Sequence, residues 1–194
     1  MSKKLSTKYN AALIAVSAMF AALLVGGKQA LAILPNIEVV TLLIALCAYV
    51  WGPVVVFPAV NVFIMVDTAI WGVNTWIISY FIHWNTVALC FWLLGKVRFK
   101  NKGVEITITT LTVAVLTTLF GVLTSVVDTL VGFTGMGFFL DFDDFFARFA
   151  LMYVRGGNYY VTQILCNIVL FAVGFVPLVI LNRKAKLRIL ANDE

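Results

Sequence analysis

The sequence predicts an all-α integral membrane protein, a bundle of six transmembrane helices with both termini in the cytoplasm. Of its 194 residues, 62% are hydrophobic and only 12% are charged, and the mean hydropathy is +1.03. A soluble domain carries about 25% charged and about half apolar residues, and it has too little interior to bury such an excess. These two observations fix the class, and the placement of the basic residues fixes the topology.

Six apolar segments account for the membrane spans, within a single membrane domain that covers residues 1–194. They lie at 11–33, 38–51, 54–71, 75–95, 105–132 and 158–182. The chain between 39 and 71 is too long for one span, which needs about 17–25 residues. Gly52-Pro53 interrupts it, because proline lacks a backbone donor and disfavours helix at the residue before it. We therefore expect two short spans here.

Eleven of the 14 basic residues fall in three clusters near span ends. These are Lys3, Lys4 and Lys8; Lys96, Arg98, Lys100 and Lys102; and Arg183, Lys184, Lys186 and Arg188. Lysine and arginine gather in cytoplasmic loops. The three clusters share one side only if the chain crosses twice between 39 and 71, so the pattern predicts six spans. The net charge of +5 then reflects topology and requires no nucleic-acid partner.

Polar chemistry is concentrated on the opposite, outer side. Six of the nine acidic residues lie in or beside the outer segments, namely Glu38, Asp67, Asp128, Asp141, Asp143 and Asp144. The longest outer segment, 133–157, contains an amphipathic stretch at 138–155. Its apolar face carries Phe138, Phe142, Phe145 and Phe149, and the other face carries Asp141, Asp144, Arg148 and Arg155. This pattern predicts an interfacial helix, acting either as a lid or as an anchor for the loop.

The outer half of the fourth span is rich in aromatic and polar side chains. Trp71 and Trp76 suit the membrane interface, whereas Tyr80, His83, Trp84 and Asn85 lie deeper. Polar groups at that depth need partners or a water-filled cavity, so a ligand pocket is predicted beside an internal network. The only histidine, His83, favours internal hydrogen bonding over metal ligation. Cys47, Cys90 and Cys166 are expected to be structural thiols.

The sixth span opens after Gly156-Gly157, which is expected to form a turn. Asn158, Tyr159, Gln163 and Asn167 follow, and the last three are spaced by four residues on one helical face. Amide and phenol groups offer neutral hydrogen bonds. The stripe is suited either to an uncharged polar ligand or to contacts between helices.

The stretch ILPNIEVV, residues 33–40, joins the first two spans on the outer side. Pro35 is expected to end the first helix and Asn36 to cap the second. Glu38 would then lie in a first helical turn, where the helix dipole favours a negative charge. We predict Asn36 as a ligand contact and Glu38 as the organiser of the loop.

The first span carries small residues on one face, namely Ala11, Ala15, Ala18, Ala22 and Gly26. Small residues at this spacing allow close approach of two membrane helices. The stripe fits docking of another membrane protein, and it equally fits packing within this bundle.

The sequence contains no phosphate-binding glycine loop, no paired nucleophile and base, and no cluster of metal ligands. No catalytic residue, metal site or intrinsic cofactor is therefore predicted, and active transport would need an external ATPase. An enzyme acting on lipids through Glu38, Asp67 and Asp128 remains an alternative, as does a scaffold subunit without a ligand.

Several of these features together resemble a known family. Six short spans, an alanine-striped first helix and a proline-containing outer loop resemble the substrate-binding S component of energy-coupling factor (ECF) vitamin transporters. The stretch from Lys28 to Glu38, with the aromatic segment WGVNTWIISYFIHW, resembles the branch for cobalamin.

The resemblance implies a multi-pass subunit of the bacterial plasma membrane that binds a vitamin outside and releases it inside. Its partners would be a membrane coupling protein, docked on Ala11, Ala15, Ala18 and Ala22, and two cytoplasmic ATPases. Cobalamin is the expected ligand, and pantothenate, a queuosine precursor and folate are the alternatives. The predicted ligand-binding residues are Asn36, Glu38, Trp71, Asn74, Trp76, Tyr80, Trp84, Asn158, Tyr159 and Gln163.

Overall fold

A computed structural model describes residues 3–134 and 137–191, with side chains described for 9–132 and 140–190. The helices are α1 (Lys3–Ala30), α2 (Val40–Trp51), α3 (Pro53–Trp71), α4 (Trp76–Gly95), α5 (Lys102–Leu130), α6 (Phe145–Leu170) and α7 (Val176–Ala191). A π-helical segment, Phe171–Phe175, joins α6 to α7. Two short strands, β1 (Val131–Thr134) and β2 (Gly137–Leu140), form a hairpin between α5 and α6.

The predicted all-α membrane bundle is confirmed. Within the described chain, five helical segments are long and apolar enough to cross a membrane. They are Tyr9–Ala30, Pro53–Trp71, Trp76–Gly95, Lys102–Leu130 and Phe145–Leu190. The last of these is one continuous segment through α6, the π-helical segment and α7.

The second predicted span corresponds to α2, which is much shorter than a membrane. Its 12 residues extend about 18 Å, against about 30 Å of hydrocarbon. Eleven of the 12 residues are buried, because α2 is apolar on every side and the other helices enclose it. This helix is therefore the centre of the core, and it is joined to α3 at Gly52, as the sequence predicts.

Contacts between helices set the direction of each pass. The Ser17 hydroxyl donates to the Val55 carbonyl at 2.9 Å, and Lys28 pairs with Asp67, so α1 and α3 run parallel. The Thr75 hydroxyl donates to Asp128 at 2.7 Å, which places the start of α4 beside the end of α5. Helices α1, α3 and α5 thus run one way, and α2, α4 and α6–α7 run the other.

The opposite end of the bundle gathers the other helix termini. The Tyr49 hydroxyl donates to Glu105 at 2.6 Å, and the Trp51 indole donates to Asn182 at 2.8 Å. The loop at 96–102 and the basic cluster at 183–188 therefore share this end, which we call the basic end. The backbone of α1 also starts there, whereas the side chains of Lys3, Lys4 and Lys8 lie outside the described ones. The positive-inside rule places the basic end in the cytoplasm, and we call the other end the outer end.

The region predicted as a long outer loop, 133–157, is organised differently. Its first part is the β1–β2 hairpin, in which Val131 pairs with Leu140. Helix α6 begins at Phe145 and continues without a break through Gly156 and Gly157, so the turn expected there is wrong. The helical part of the amphipathic stretch is therefore the first part of the continuous helical segment Phe145–Leu190. The Phe138 side chain, assigned to its apolar face, lies outside the described side chains.

The Tyr160 ring explains why a glycine lies inside α6. A Cβ atom at Gly156 would lie 2.3 Å from this ring, and one at Gly121 of α5 would lie 2.9 Å from it. The Tyr160 hydroxyl meets Thr124 and Ser125 of α5 at 3.2 and 3.0 Å. The glycines make room for an aromatic side chain between α5 and α6, and a turn is not required.

Arg148 fixes the junction between the hairpin and α6. Its guanidinium donates to the Asp141 carboxylate at 2.6 Å, to the Asp143 carbonyl at 3.1 Å and to the Thr129 carbonyl. The Asp143 backbone N–H and the Arg148 guanidinium together hold the pKa of Asp141 below its ordinary value. The hairpin is therefore tied to the outer ends of both α5 and α6.

Candidate ligand-binding site

A cavity of about 260 Å³ opens at the outer end of the bundle. One wall is the connection between α1 and α2, and the others come from α1, α2, α3, α4, α5 and α6. Its lining residues are Lys28, Leu31, Ala32, Leu34, Pro35, Asn36, Ile37, Glu38, Val40, Trp71, Tyr80, Trp84, Phe120 and Gln163. The predicted location of the site, at the outer face beside the ILPNIEVV stretch, agrees with this geometry.

A lysine–aspartate ion pair lies at the floor of the cavity. The Lys28 ammonium donates to Oδ2 of Asp67, and the Asp67 side chain is only 1% exposed. The Lys28 side chain is 22% exposed and lines the cavity. Charged groups inside a membrane bundle are costly unless paired, so this pair offsets the cost of burying two charges between α1 and α3.

Aromatic rings surround the Lys28 ammonium. Its nitrogen lies 4.4 Å from the ring centroid of Tyr80, 5.5 Å from that of Trp76 and 5.7 Å from that of Trp84. These three side chains of α4 pack in sequence, with centroids 4.9 and 4.1 Å apart. Ring faces attract a cation, so the cluster stabilises the ammonium that the cavity exposes.

Glu38 caps helix α2. Its carboxylate accepts hydrogen bonds from the backbone N–H and the hydroxyl of Thr41, and from the Asn167 amide at 3.1 Å. The sequence predicts Asn36 as the cap and Glu38 inside the first turn; instead, α2 begins at Val40 and Glu38 precedes it. The Glu38 side chain is longer than that of Asn36, so it can fold back onto the free backbone N–H of Thr41 in the first turn. Its role as organiser of the loop agrees with these contacts.

Asn36 fastens the same connection to α6. Its side-chain amide donates to the Tyr159 carbonyl at 3.0 Å, and its backbone adopts a left-handed conformation with φ of 57°. Asparagine tolerates this conformation better than most residues. The end of α1 also departs from the sequence prediction, since α1 ends at Ala30 and two four-residue turns, 29–32 and 31–34, precede Pro35.

Two polar side chains of the cavity wall have atoms without a hydrogen-bond partner among the described residues. They are Nε1 of Trp84 and Oε1 of Gln163, in residues that are 4% and 7% exposed. Below the wall, Nε2 of His83 is also unpartnered, and its ring lies 4.4 Å from that of Phe120. The hydrogen bonding expected of His83 is therefore not observed at this nitrogen. Unsatisfied buried polar groups are uncommon and call for an explanation.

The structure brings together six of the ten predicted ligand-binding residues. Asn36, Glu38, Trp71, Tyr80, Trp84 and Gln163 line the cavity. Trp76 does not line the cavity itself but packs against the lining residue Tyr80.

The remaining three predicted residues do not line the cavity. Asn74 is exposed and accepts from the Thr75 N–H at 2.6 Å. Asn158 and Tyr159 are exposed on α6, and only the Tyr159 backbone carbonyl takes part, through Asn36. Spacing alone placed Tyr159 and Gln163 on one face, yet the boundary between outward and inward surfaces falls between them.

Lys28 and Phe120 are the main lining residues that the sequence prediction misses. Lys28 carries a detectable signal, because it is a lysine within an apolar run and apart from the three basic clusters. An ionisable residue inside a span is a functional candidate by default. Phe120 carries no such signal, since it is one of 16 phenylalanines in the chain.

The small-residue stripe of α1 faces outward. Ala11, Ala15, Ala18, Ala22 and Gly26 are all exposed, and a Cβ atom at Gly26 would meet nothing within 4 Å. Packing of this stripe against the rest of the described bundle is therefore wrong. The face is free for a contact outside the chain.

The three acids considered for catalysis do not converge. Glu38 caps α2, Asp67 pairs with Lys28, and Asp128 is exposed and accepts from Thr75. Among the residues that the structure describes, no group of three or more histidine, cysteine or acidic side chains is placed to hold a metal ion. Searches of protein-family models, curated proteins and solved structures found no match to this chain.

Proposed function

We propose that this chain is the ligand-binding membrane subunit of an importer, an S component of the ECF type. The observation that carries the proposal is the cavity at the outer end of the bundle. It is concave, largely apolar and aromatic, and it holds a few polar groups, which is the usual composition of a small-molecule site. Its position opposite the basic end suits capture of a ligand from outside the cell.

The outward face of α1 supports the transport role. Its small side chains allow another membrane helix to approach closely, as a coupling protein would. No described segment of the chain resembles a nucleotide-binding loop, so the energy for uptake would come from partner ATPases.

Cobalamin is the leading ligand on the sequence resemblance, and the cavity volume bears on how it would bind. Ligand pockets measure about 300–1,000 Å³, and this one measures about 260 Å³. A whole corrinoid would require the connection at 31–38 to move outward, whereas one of its amide arms fits the cavity as it stands. The smaller candidates, pantothenate and a queuosine precursor, would need less movement.

The alternative of a lipid enzyme receives less support. Each of the three outer acids already has its own partner, and they occupy separate places in the bundle. A convergent acid and base would be needed for such chemistry.

Purification from vitamin-fed cells, followed by mass spectrometry of the bound small molecule, tests the proposal directly. We expect a vitamin to copurify in near-stoichiometric amount, and its amount to fall at least tenfold in an Ala32→Trp variant, which fills the cavity. If no vitamin is bound to the purified wild-type protein and no ATPase copurifies with it, the proposal is contradicted.

The partner contact is tested separately by Ala18→Trp on the exposed stripe. We expect this variant to keep the bound ligand and to lose copurification of the coupling protein. Leu23→Trp, at another exposed position of α1, is the matched control. Equal loss in both variants would show that the stripe has no special role.

A further inference from the structure

The cavity contains a charge arrangement that defines the class of ligand, an inference that rests on the proposed function. We propose that the site selects an uncharged, amide-like group, and that Asp67 sets this selectivity by neutralising Lys28. Asp67 is a specificity-determining residue that acts through Lys28, because it lies beneath the lysine and does not itself line the cavity.

The formal charges around the cavity disfavour an anionic ligand. Lys28 is the only basic side chain among the described lining residues, and Asp67 pairs with it directly. Glu38 adds a second negative charge to the lining, partly offset because it caps the N-terminus of α2. An incoming anion would meet one cation and two carboxylates at short range in a medium of low dielectric.

A cationic ligand is disfavoured for the complementary reason. The aromatic faces of Tyr80, Trp76 and Trp84 are already occupied by the Lys28 ammonium. The carboxylate of Glu38 is engaged by Thr41 and Asn167. A second cation would therefore approach Lys28 without finding a free counter-ion among the described side chains.

The unpartnered polar atoms supply what a neutral ligand needs. The unpartnered Nε1 of Trp84 can only donate a hydrogen bond. The Lys28 ammonium has three N–H groups and donates to Asp67 and, at 3.4 Å, to the Tyr80 hydroxyl, so one N–H group remains for a ligand. Gln163 offers an acceptor. A carboxamide or lactam combines a carbonyl acceptor with an N–H donor, so it offers a partner to each of these two kinds of group.

Benzamide, benzoate and benzamidinium test the inference because they share one ring and differ in charge. Dissociation constants would be measured by ligand-observed NMR titration of the full chain in nanodiscs, with empty nanodiscs and the Ala32→Trp variant as blanks. We expect benzamide to bind at least threefold more tightly than either charged probe. Tighter or equal binding of a charged probe would overturn the proposal. So would binding of benzamide that is the same in the wild-type protein and in the Ala32→Trp variant, or no binding of benzamide at all.

The Asp67→Asn variant tests the role of the carboxylate. It leaves Lys28 without its counter-ion, so we expect benzoate to bind more tightly than benzamide, reversing the wild-type order. Asp128→Asn is the matched control, since Asp128 is an exposed acid at the same end, and it should leave the order unchanged. An unchanged order in folded Asp67→Asn would overturn the assignment to Asp67.

A double variant decides the matter if Asp67→Asn fails to fold. Lys28→Met with Asp67→Leu removes both charges and should keep the preference for benzamide, whereas a preference for benzoate would overturn the proposal. Mass spectrometry of the vitamin that copurifies with the protein is an independent readout. If a vitamin copurifies but benzamide is not preferred, only this inference is refuted. If benzamide is preferred but no vitamin copurifies, only the proposed function is refuted.

Discussion

Removing Lys28 alone from the Lys28–Asp67 pair should destabilise the bundle far more than removing both partners. The Asp67 side chain is 1% exposed, its Oδ2 is bound by Lys28, and its Oδ1 has no partner among the described residues. Removing one partner of a buried pair costs about 3–5 kcal/mol, because the other charge stays buried. We therefore expect Lys28→Met to lower the free energy of unfolding by about 3–5 kcal/mol.

The converse change should cost less, for a reason visible in the structure. Asp67→Leu leaves in place a Lys28 side chain that is 22% exposed and whose ammonium lies 4.4 Å from the Tyr80 ring centroid. Water and the ring face still stabilise this cation, the latter by about 2 kcal/mol when it is desolvated. The expected loss is about 1–3 kcal/mol, the usual contribution of a hydrogen bond to a charged group.

The double variant, Lys28→Met with Asp67→Leu, should have a free energy of unfolding within about 1 kcal/mol of that of the wild-type protein. Apolar replacement of both partners of a buried pair is often neutral. The coupling energy between the two sites would then be about 3 kcal/mol or more, a value that contacting residues reach and distant ones do not.

Equilibrium unfolding in mixed micelles, followed by tryptophan fluorescence, measures these four proteins side by side. Asp128→Leu is the control, and its exposed hydrogen bond to Thr75 should contribute less than about 1 kcal/mol. The reasoning fails if Lys28→Met loses less than about 1 kcal/mol, or if the double variant loses the sum of the single losses.

Four further predictions concern other parts of the bundle. At the α2–α4 contact, Gly95→Ala would place a Cβ atom 2.5 Å from a backbone oxygen, and thermal denaturation should show a loss of about 1–3 kcal/mol. Gly26→Ala, which meets nothing within 4 Å, should be neutral or stabilising. Glu38→Ala removes a helix cap and should cost about 1–2 kcal/mol in the same assay, and Glu38→Gln, which keeps an acceptor but no charge, should lose less. Equal loss in both variants would contradict the hydrogen-bond contribution, and no loss in Glu38→Gln would contradict the charge–dipole contribution. The pKa of Asp141 lies below its ordinary value of 3.8, so its pair with Arg148 stabilises the hairpin at neutral pH and is lost as the pH falls through that lowered pKa. Hydrogen exchange of the hairpin should therefore accelerate at acid pH relative to pH 7, after correction for intrinsic rates. This acceleration should be smaller in Arg148→Ala, which keeps only the contribution of the Asp143 backbone N–H.

The class and the direction of each pass were accessible from sequence because they depend on totals and on the positions of charges. The apolar excess leaves no alternative to a membrane bundle, and three basic clusters require an even number of crossings between them. The interruption at Gly52-Pro53 then fixes where α2 turns into α3. None of these inferences requires knowledge of which helix faces which.

The details that the sequence misplaces depend on such three-dimensional relations. Gly156 appears as a turn because the ring that fills its empty side, Tyr160, is recognised only once α5 and α6 are packed together. Helix α2 appears as a short span because burial on all sides cannot be distinguished from exposure to lipid by hydropathy alone. Asn36 appears as the cap because the local pattern does not reveal that Glu38 can fold back onto Thr41.

The candidate site shows the same division. Aromatic residues of α4 and the 33–40 stretch were identified because polar or aromatic groups at membrane depth are unusual. Lys28 was missed although it is the most informative residue of the cavity. Its partner, Asp67, lies 39 positions away on α3, and the relation between them exists only because α1 and α3 run parallel.

Helix α1 links the two surfaces on which the proposed function depends. Val16, Phe20, Leu24 and Lys28 recur every four residues; the first three are buried in the core and the last reaches the cavity. The small-residue stripe occupies the outward face of the same helix. If α1 moves as one body, then under the proposed function a coupling protein that displaces the stripe also displaces Lys28 from Asp67, on α3, and from Tyr80, on α4. Separating this pair would leave the Lys28 charge without the Asp67 carboxylate that neutralises it in the wild-type cavity. Release of an uncharged ligand would then follow from the same movement that docking produces, without a separate gate.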